Sequence, residues 1–117
     1  MKKIYHLSTC TTCKKILKEL DPPSSFTLQD IKEDSITGEQ LDEMRELSGN
    51  YEALFSKRAQ LYKERDLKNE DLSEELYKNL ILEHYTFLKR PVIINNNKIF
   101  IGNAKKTVEA AKKSINE

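Results

Sequence analysis

The sequence has few of the residues that mark fibrous, membrane-spanning or disulfide-rich proteins. Its 117 residues include no tryptophan, three glycines, three prolines and two cysteines. So few glycines and prolines exclude a collagen-like or low-complexity chain, and no apolar run approaches the roughly 20 residues of a transmembrane helix. The first residues, MKKIYHLS, are charged and lack the apolar segment of a secretory signal. We therefore expect a cytoplasmic protein without membrane attachment.

A strong charge of one sign is also missing. The 20 Lys and Arg residues balance 19 Asp and Glu residues, which leaves a net charge of +1. The chain thus lacks the positive field typical of nucleic-acid-binding domains, and its scattered glycines cannot form a phosphate-binding loop. We predict a single domain over residues 1–117, a monomer that binds no nucleic acid directly.

Hydrophobic periodicity predicts a β-α-β unit at the start of the chain. Residues 3–7 (KIYHL) and residues 26–31 are the predicted strands, and in the second of them Phe26 and Leu28 alternate with polar residues. Residues 13–20 carry an apolar stripe at helical spacing. Because a helix connects them, the two strands should be parallel, with a right-handed crossover.

The middle of the chain is predicted to be helical. Thr37-Gly38-Glu39-Gln40 matches a capping box and opens a helix that ends near Gly49-Asn50. Residues 51–65 indicate one or two shorter helices. Residues 74–85 indicate another, with Leu76 among its inward-facing residues.

The end of the chain predicts a hairpin followed by a helix. The β-branched segment 91–94 (PVII) and the segment 98–101 (KIFI) flank Asn95-Asn96-Asn97, and Asn tolerates the left-handed backbone of a turn. Residues 104–115 indicate the final helix. The whole order predicts an α/β fold in which a four-stranded mixed sheet has helices packed on its faces.

The motif Cys10-Thr11-Thr12-Cys13 lies between the first predicted strand and the first predicted helix. Free N–H groups and the positive end of the helix dipole stabilise a thiolate there, and two lysines follow directly. We predict a lowered pKa for Cys10, the candidate nucleophile in the open loop. Cys13, inside the first turn, is placed to resolve a disulfide with it.

Other roles for the cysteine pair remain open. The two thiols could be inert core residues, zinc ligands or a structural disulfide. Zinc would need two further ligands, and the chain offers only His6 and His84. A structural disulfide is disfavoured without an export signal. We therefore expect no metal site.

Two dibasic pairs supply the candidate anion-binding residues. Lys57-Arg58 and Lys89-Arg90 lie far apart in the sequence, and Arg90 precedes Pro91 at the start of a predicted strand. Arginine can hold an oxyanion through paired N–H groups. If the fold brings Arg58 and Arg90 near Cys10, anion-binding groups surround the thiolate. The alternative is that both pairs are ordinary solvated surface.

Taken together, the segments IYHLSTCTTCKKIL, LFSKRAQLYKE and LKRPVIINNNKIFIGN resemble the ArsC family of thioredoxin-fold proteins. That family includes glutaredoxin-coupled arsenate reductases, small YffB-like relatives and the Spx transcription regulators. The resemblance covers nearly the whole chain. It implies a thioredoxin-like sheet with an inserted helical subdomain at about residues 36–85.

The resemblance also implies roles for individual residues. Cys10 matches the family's nucleophile, Arg90 its arginine before the strand, and Pro91 the proline that is commonly cis in thioredoxin folds. Arg58 matches an arginine of the Spx and YffB-like branches, whereas the reductases carry theirs two positions earlier, at Ser56 here. The predicted catalytic residues are Cys10, Cys13 and Arg90, and the predicted binding residues are Arg58, Pro91, Thr11 and Thr12.

The sequence differs from the arsenate reductases in two features, so a second function remains open. Ile101-Gly102-Asn103 stands where they carry a further arginine, and Cys13 is present as in Spx. We favour a thiol-dependent oxidoreductase similar to the arsenate reductases. In it Cys10 attacks an oxyanion or a disulfide, and glutathione, glutaredoxin or Cys13 resolves the product, without a bound cofactor. The alternatives are an Spx-like redox sensor that binds the RNA polymerase α subunit, and a redox-inert relative.

Overall fold

The computed structural model describes all 117 residues, and its strands form one mixed sheet. The strands are β1 (Lys2–His6), β2 (Thr27–Asp30), β3 (Val92–Asn95) and β4 (Lys98–Ile101), in the order β2-β1-β3-β4. β1 runs parallel to β2 and antiparallel to β3, which forms a hairpin with β4. The predicted α/β fold with a four-stranded mixed sheet is confirmed.

Five α-helices accompany the sheet. They are α1 (Thr11–Leu20), α2 (Gly38–Ser48), α3 (Gln60–Glu64), α4 (Glu74–Glu83) and α5 (Lys105–Ile115), with short 3₁₀ turns at Glu52–Leu54, Leu67–Asn69 and Tyr85–Phe87. None of these helices has the length and apolar character needed to cross a membrane. The chain divides into two compact units, one of residues 1–34 and 90–117 and one of residues 35–89.

The first unit contains the whole sheet, and α1 and α5 pack on one of its faces. Ile4 of β1 lies opposite Ile93 of β3 at the centre of that face, and each is 1% exposed or less. The buried residues of this core are Ile4, Ile16, Leu20, Phe26, Ile93, Val108 and Ala111. The helical spacing of the apolar residues in α1 and α5 is what turns these side chains towards the sheet.

The alternation predicted for the second strand is wrong at Leu28 and Gln29. Phe26 is buried, but Leu28 is 48% exposed and Gln29 only 6% exposed. β2 is an edge strand, paired on one side only, so an apolar residue on it can remain in contact with water. The buried Gln29 amide is satisfied because its Nε2 donates to the Asp34 carbonyl oxygen at 2.9 Å.

Within the second unit, α2 begins at the predicted capping box. The Thr37 hydroxyl accepts from the Gln40 N–H at 3.1 Å, and the Gln40 Oε1 accepts from the Thr37 N–H at 3.2 Å. The helix ends at Gly49, whose φ of 96° lies in the left-handed region that glycine adopts without strain. Both ends of this helix are therefore set by local sequence.

An aromatic cluster forms the core of the second unit. The ring of Phe55 lies 4.9 Å from Tyr77, 5.3 Å from Phe87 and 5.8 Å from Tyr62, measured between ring centroids. The inward face of α4 consists of Tyr77 and Ile81. The prediction that Leu76 faces inward is wrong, since this side chain is 45% exposed.

We expect Ile93→Ala to lower the free energy of unfolding by about 2–5 kcal/mol, because it leaves a cavity between the sheet and its two helices. The matched control is Leu28→Ala on the exposed edge of the same sheet, which should change it by less than about 0.5 kcal/mol. Urea denaturation followed by circular dichroism measures both. Equal losses in the two variants would contradict this account of the core.

Candidate active site

The cysteine motif occupies the turn between β1 and α1. The Cys10 N–H donates to the Leu7 carbonyl oxygen at 3.0 Å, which closes a tight turn after the strand. Cys10 itself is the N-cap of α1, with extended backbone (φ −91°, ψ 115°), and its carbonyl oxygen accepts the first helical hydrogen bond from Lys14 at 3.1 Å. Cys10 is half-buried, whereas Cys13, one turn into the helix, is 1% exposed.

The surroundings of Cys10 favour its thiolate. Partial burial by itself would raise the pKa of the thiol, but other groups outweigh it and lower that pKa: the N–H and thiol of Cys13, the N–H of Thr12 and the charge of Arg90. No acidic residue lies in the first turn of α1, so the positive end of its dipole is not offset there. Cys10 thus has the electrostatic setting of a reactive cysteine.

The pKa of the Cys13 thiol is shifted in the opposite direction. Burial and the neighbouring Cys10 thiolate raise the pKa of the Cys13 thiol to about 11, against the lowering effects of the Leu7 N–H and the Arg90 charge. At neutral pH Cys13 is therefore a protonated thiol that donates to the Cys10 sulfur. The pKa values of the two thiols, three positions apart, shift in opposite directions because one cysteine caps the helix and the other lies inside it.

The register between β1 and β3 brings Arg90 beside the cysteine turn. Val92 of β3 lies opposite Tyr5 of β1 in antiparallel pairing, so the residues before β3 lie beside those after β1. The Arg90–Pro91 peptide bond is cis, Pro91 is buried, and its carbonyl oxygen accepts from the Gly102 N–H at 2.9 Å. The guanidinium of Arg90 lowers the pKa of both thiols.

The remaining predicted binding residues have different positions. Thr11 and Thr12 are the first residues of α1 and are exposed, and the N–H of Thr12 contributes to the low pKa of Cys10. Arg58 is exposed in the turn before α3 and belongs to the second unit, whereas Cys10 and Arg90 belong to the first. Its role at the thiol stays a prediction.

The structure adds a residue that the sequence reasoning did not single out. Asp30, at the end of β2, accepts hydrogen bonds from the N–H and the hydroxyl of Ser8, which begins the cysteine loop. The position of Asp30 in the sequence could have indicated this contact. An acidic residue that ends the second parallel strand lies at the same edge of the sheet as the loop after the first strand. No group of three or more His, Cys, Asp or Glu side chains could hold a metal ion.

Comparison with known proteins identifies the family. The model of the ArsC family matches residues 5–111, a range that includes the cysteine turn, Arg58, Arg90 and the hairpin. The chain belongs to the ArsC family. The resemblance seen in the sequence is thereby confirmed.

Individual ArsC relatives include both a regulator and an enzyme. The chain is 27% identical over 102 residues to global transcriptional regulator Spx 2 of Bacillus anthracis, covering 85% of this chain and 77% of that protein. A solution structure from Staphylococcus aureus is 30% identical, with a TM-score of 0.75 over 95% of this chain and 98% of that one. An arsenate reductase from Vibrio cholerae, 24% identical, shares the fold with a TM-score of 0.72 over 96% and 95% of the two chains. These similarities confirm the thioredoxin-like ArsC fold.

We expect iodoacetamide to alkylate Cys10 well below the pH at which it alkylates Cys13, because the reagent reacts with thiolates. The Cys13 rate should rise only as the pH approaches its pKa of about 11. Peptide mass spectrometry after timed alkylation from pH 5 to 11 measures both. In denaturant the two rates should become similar. A Cys13 rate equal to that of Cys10 in the folded protein would contradict the assigned asymmetry.

Proposed function

We propose that the protein is a thiol-dependent oxidoreductase whose nucleophile is Cys10. The observation that carries the proposal is the lowered pKa of this half-buried thiol at the start of α1, beside the charge of Arg90. A thiolate with an adjacent cation can attack an electron-poor centre on an anionic substrate. The cation then offsets the negative charge that develops in the transition state.

Arsenate is the first substrate class that we propose. The Cys10 sulfur attacks arsenic, an S–As bond forms, and one oxygen leaves as water after taking up protons. Arsenic is still pentavalent at this stage. A glutathione thiol then attacks the Cys10 sulfur, a mixed disulfide forms, and the electron pair of the S–As bond leaves with arsenic as arsenite. Glutaredoxin or a second glutathione reduces the mixed disulfide and returns Cys10 to the thiolate.

Cys13 offers an internal route for the last step. The negative charge of the Cys10 thiolate is one reason for the high pKa of Cys13. Once Cys10 is bound in a mixed disulfide that charge is gone, so the pKa of Cys13 falls and Cys13 becomes a better nucleophile. Its attack on Cys10 would release the glutathione thiol and form a Cys10–Cys13 disulfide, which glutathione or glutaredoxin then reduces to regenerate both thiols. The same sequence of steps serves a protein or small-molecule disulfide as substrate.

The second candidate function is an Spx-like regulator. It is favoured by the similarity to global transcriptional regulator Spx 2 of Bacillus anthracis and by the pair Cys10 and Cys13, which can report oxidation by forming a disulfide. In this case the partner is the C-terminal domain of the RNA polymerase α subunit, and no substrate is turned over.

We expect arsenate-dependent NADPH consumption in the presence of glutathione, glutathione reductase and glutaredoxin. Cys10→Ser should reduce it to background, because the attacking sulfur is lost. Arg90→Ala should slow it by roughly a hundredfold or more, since removing one donor to a developing oxyanion typically costs that much. Stopped assays for arsenite provide a second readout.

Cys13→Ala should lower the rate much less than Cys10→Ser does, because glutathione can still resolve the adduct although the Cys10 thiolate loses one hydrogen-bond donor. Activity that survives Cys10→Ser would exclude Cys10 as the nucleophile. If arsenate gives no rate while glutaredoxin is active, a mixed disulfide of glutathione with another thiol is the next substrate to be assayed, with the same variants.

We expect the regulator function, if present, to show as redox-dependent binding of the polymerase α C-terminal domain. Pull-down with the purified domain, once with the oxidised and once with the reduced protein, measures it. Binding that Cys13→Ala makes independent of oxidation would support a sensor role. The absence of binding in both states would exclude this candidate.

A further inference from the structure

Asp30 ties the end of β2 to the cysteine loop through several hydrogen bonds. Its Oδ1 accepts from the Ser8 N–H at 3.2 Å and from the Lys32 N–H at 3.2 Å, and its Oδ2 accepts from the Ser8 hydroxyl. The next residue, Ile31, donates its N–H to the His6 carbonyl oxygen at 2.9 Å. One carboxylate therefore holds the loop where it leaves β1, at a point already connected to β2 by the backbone.

Ser8 lies inside the turn that sets the positions of both sulfurs. The turn is closed by the hydrogen bond from the Cys10 N–H to the Leu7 carbonyl oxygen. The N–H of Leu7, the residue before Ser8, also acts on the Cys13 sulfur. A change at Ser8 would therefore alter the turn on both sides, and with it the approach of the Cys10 sulfur to the N–H groups of α1.

We propose that Asp30 is a positioning residue for Cys10: by holding Ser8, its carboxylate fixes the turn of residues 7–10 so that the Cys10 sulfur meets the first N–H groups of α1. The proposal rests on the function proposed above, since it concerns the reactivity of the same thiol. The hydrogen bonds of the Asp30 carboxylate go to Ser8 and Lys32 and not to either sulfur, so Asp30 acts through Ser8.

The hydrogen bonds to Asp30 keep its carboxyl group in the ionised form that accepts them. Its pKa is lowered, first by the Ser8 hydroxyl and then by the backbone N–H groups of Ser8 and Lys32, with a smaller contribution from His6, which lies opposite it in the β1–β2 register. Asp30 is therefore ionised at neutral pH and can accept at both oxygens.

The direction in which the Cys10 pKa shifts when Asp30 is replaced distinguishes a positioning role from direct charge repulsion. A carboxylate near a thiolate repels it, so removing the charge of Asp30 would by itself lower the pKa of Cys10. Loss of the hydrogen bonds that position the turn would withdraw N–H donors from the sulfur and raise that pKa. The two explanations thus predict shifts in opposite directions for the same variant.

The experiment is the pH profile of Cys10 alkylation in the full chain, for the unaltered protein and for Asp30→Ala, Ser8→Ala and Glu33→Gln. Glu33 is exposed in the turn after β2, so its variant removes a nearby charge without removing a bond to Ser8. We expect Asp30→Ala to raise the pKa of Cys10 by about one unit, which lowers the thiolate fraction at pH values below that pKa by about tenfold. Ser8→Ala should shift it in the same direction by less, because the backbone bond from Ser8 remains.

Glu33→Gln should leave the profile unchanged, and circular dichroism shows that each variant is folded. A Cys10 pKa that is unchanged or lowered in folded Asp30→Ala would overturn the inference, as would an equal rise in Glu33→Gln. If Asp30→Ala does not fold, the Cys10 pKa is measured in Ser8→Ala instead. An unchanged or lowered pKa in that folded variant would then overturn the inference. An ordinary Cys10 pKa in the unaltered chain would contradict the proposed function as well, whereas a low pKa that survives the loss of Asp30 contradicts the inference alone.

Discussion

The antiparallel pairing of β1 with β3 joins two parts of the chain that are far apart in sequence. Its register sets Tyr5 opposite Val92, and the residues that follow β1 therefore lie beside those that precede β3. This is why the charge of Arg90 acts on a thiol 80 positions earlier in the chain. A slip of one residue would turn the buried Ile93 away from the helices, so the core that stabilises the sheet also preserves the site.

The first turn of α1 makes the two thiols of the site chemically different. Cys10 and Cys13 are three residues apart, yet the pKa of one thiol is lowered and that of the other is raised to about 11. The N-cap position exposes a sulfur to free N–H groups, while the position inside the helix buries it. The protonated inner thiol then stabilises the outer thiolate. Burial, usually a cost to an ionisable group, here makes one cysteine a donor to the other.

Local patterns predicted the elements best where the neighbouring residues alone determine them. The capping box of Thr37 and Gln40 was predicted correctly, and the turn predicted at Asn95-Asn96-Asn97 contains the left-handed Asn96. Each feature depends on a few adjacent residues. The alternation in β2 was predicted wrongly. Leu28 is exposed because β2 lies at the edge of the sheet. An alternating sequence pattern does not indicate where in the sheet a strand lies.

The sequence by itself determined the order of the elements, the mixed sheet and the placement of Cys10 before a helix, since these follow from periodicity, capping and turn residues. The dibasic pairs indicated Arg90 as a candidate anion-binding residue, and the resemblance to the ArsC family added Pro91. Only the tertiary structure decided how these residues act: which sulfur is buried, how Arg90 reaches the turn, and that Asp30 holds Ser8. Each of these depends on the register between strands, and a register is set by how side chains from distant segments pack together.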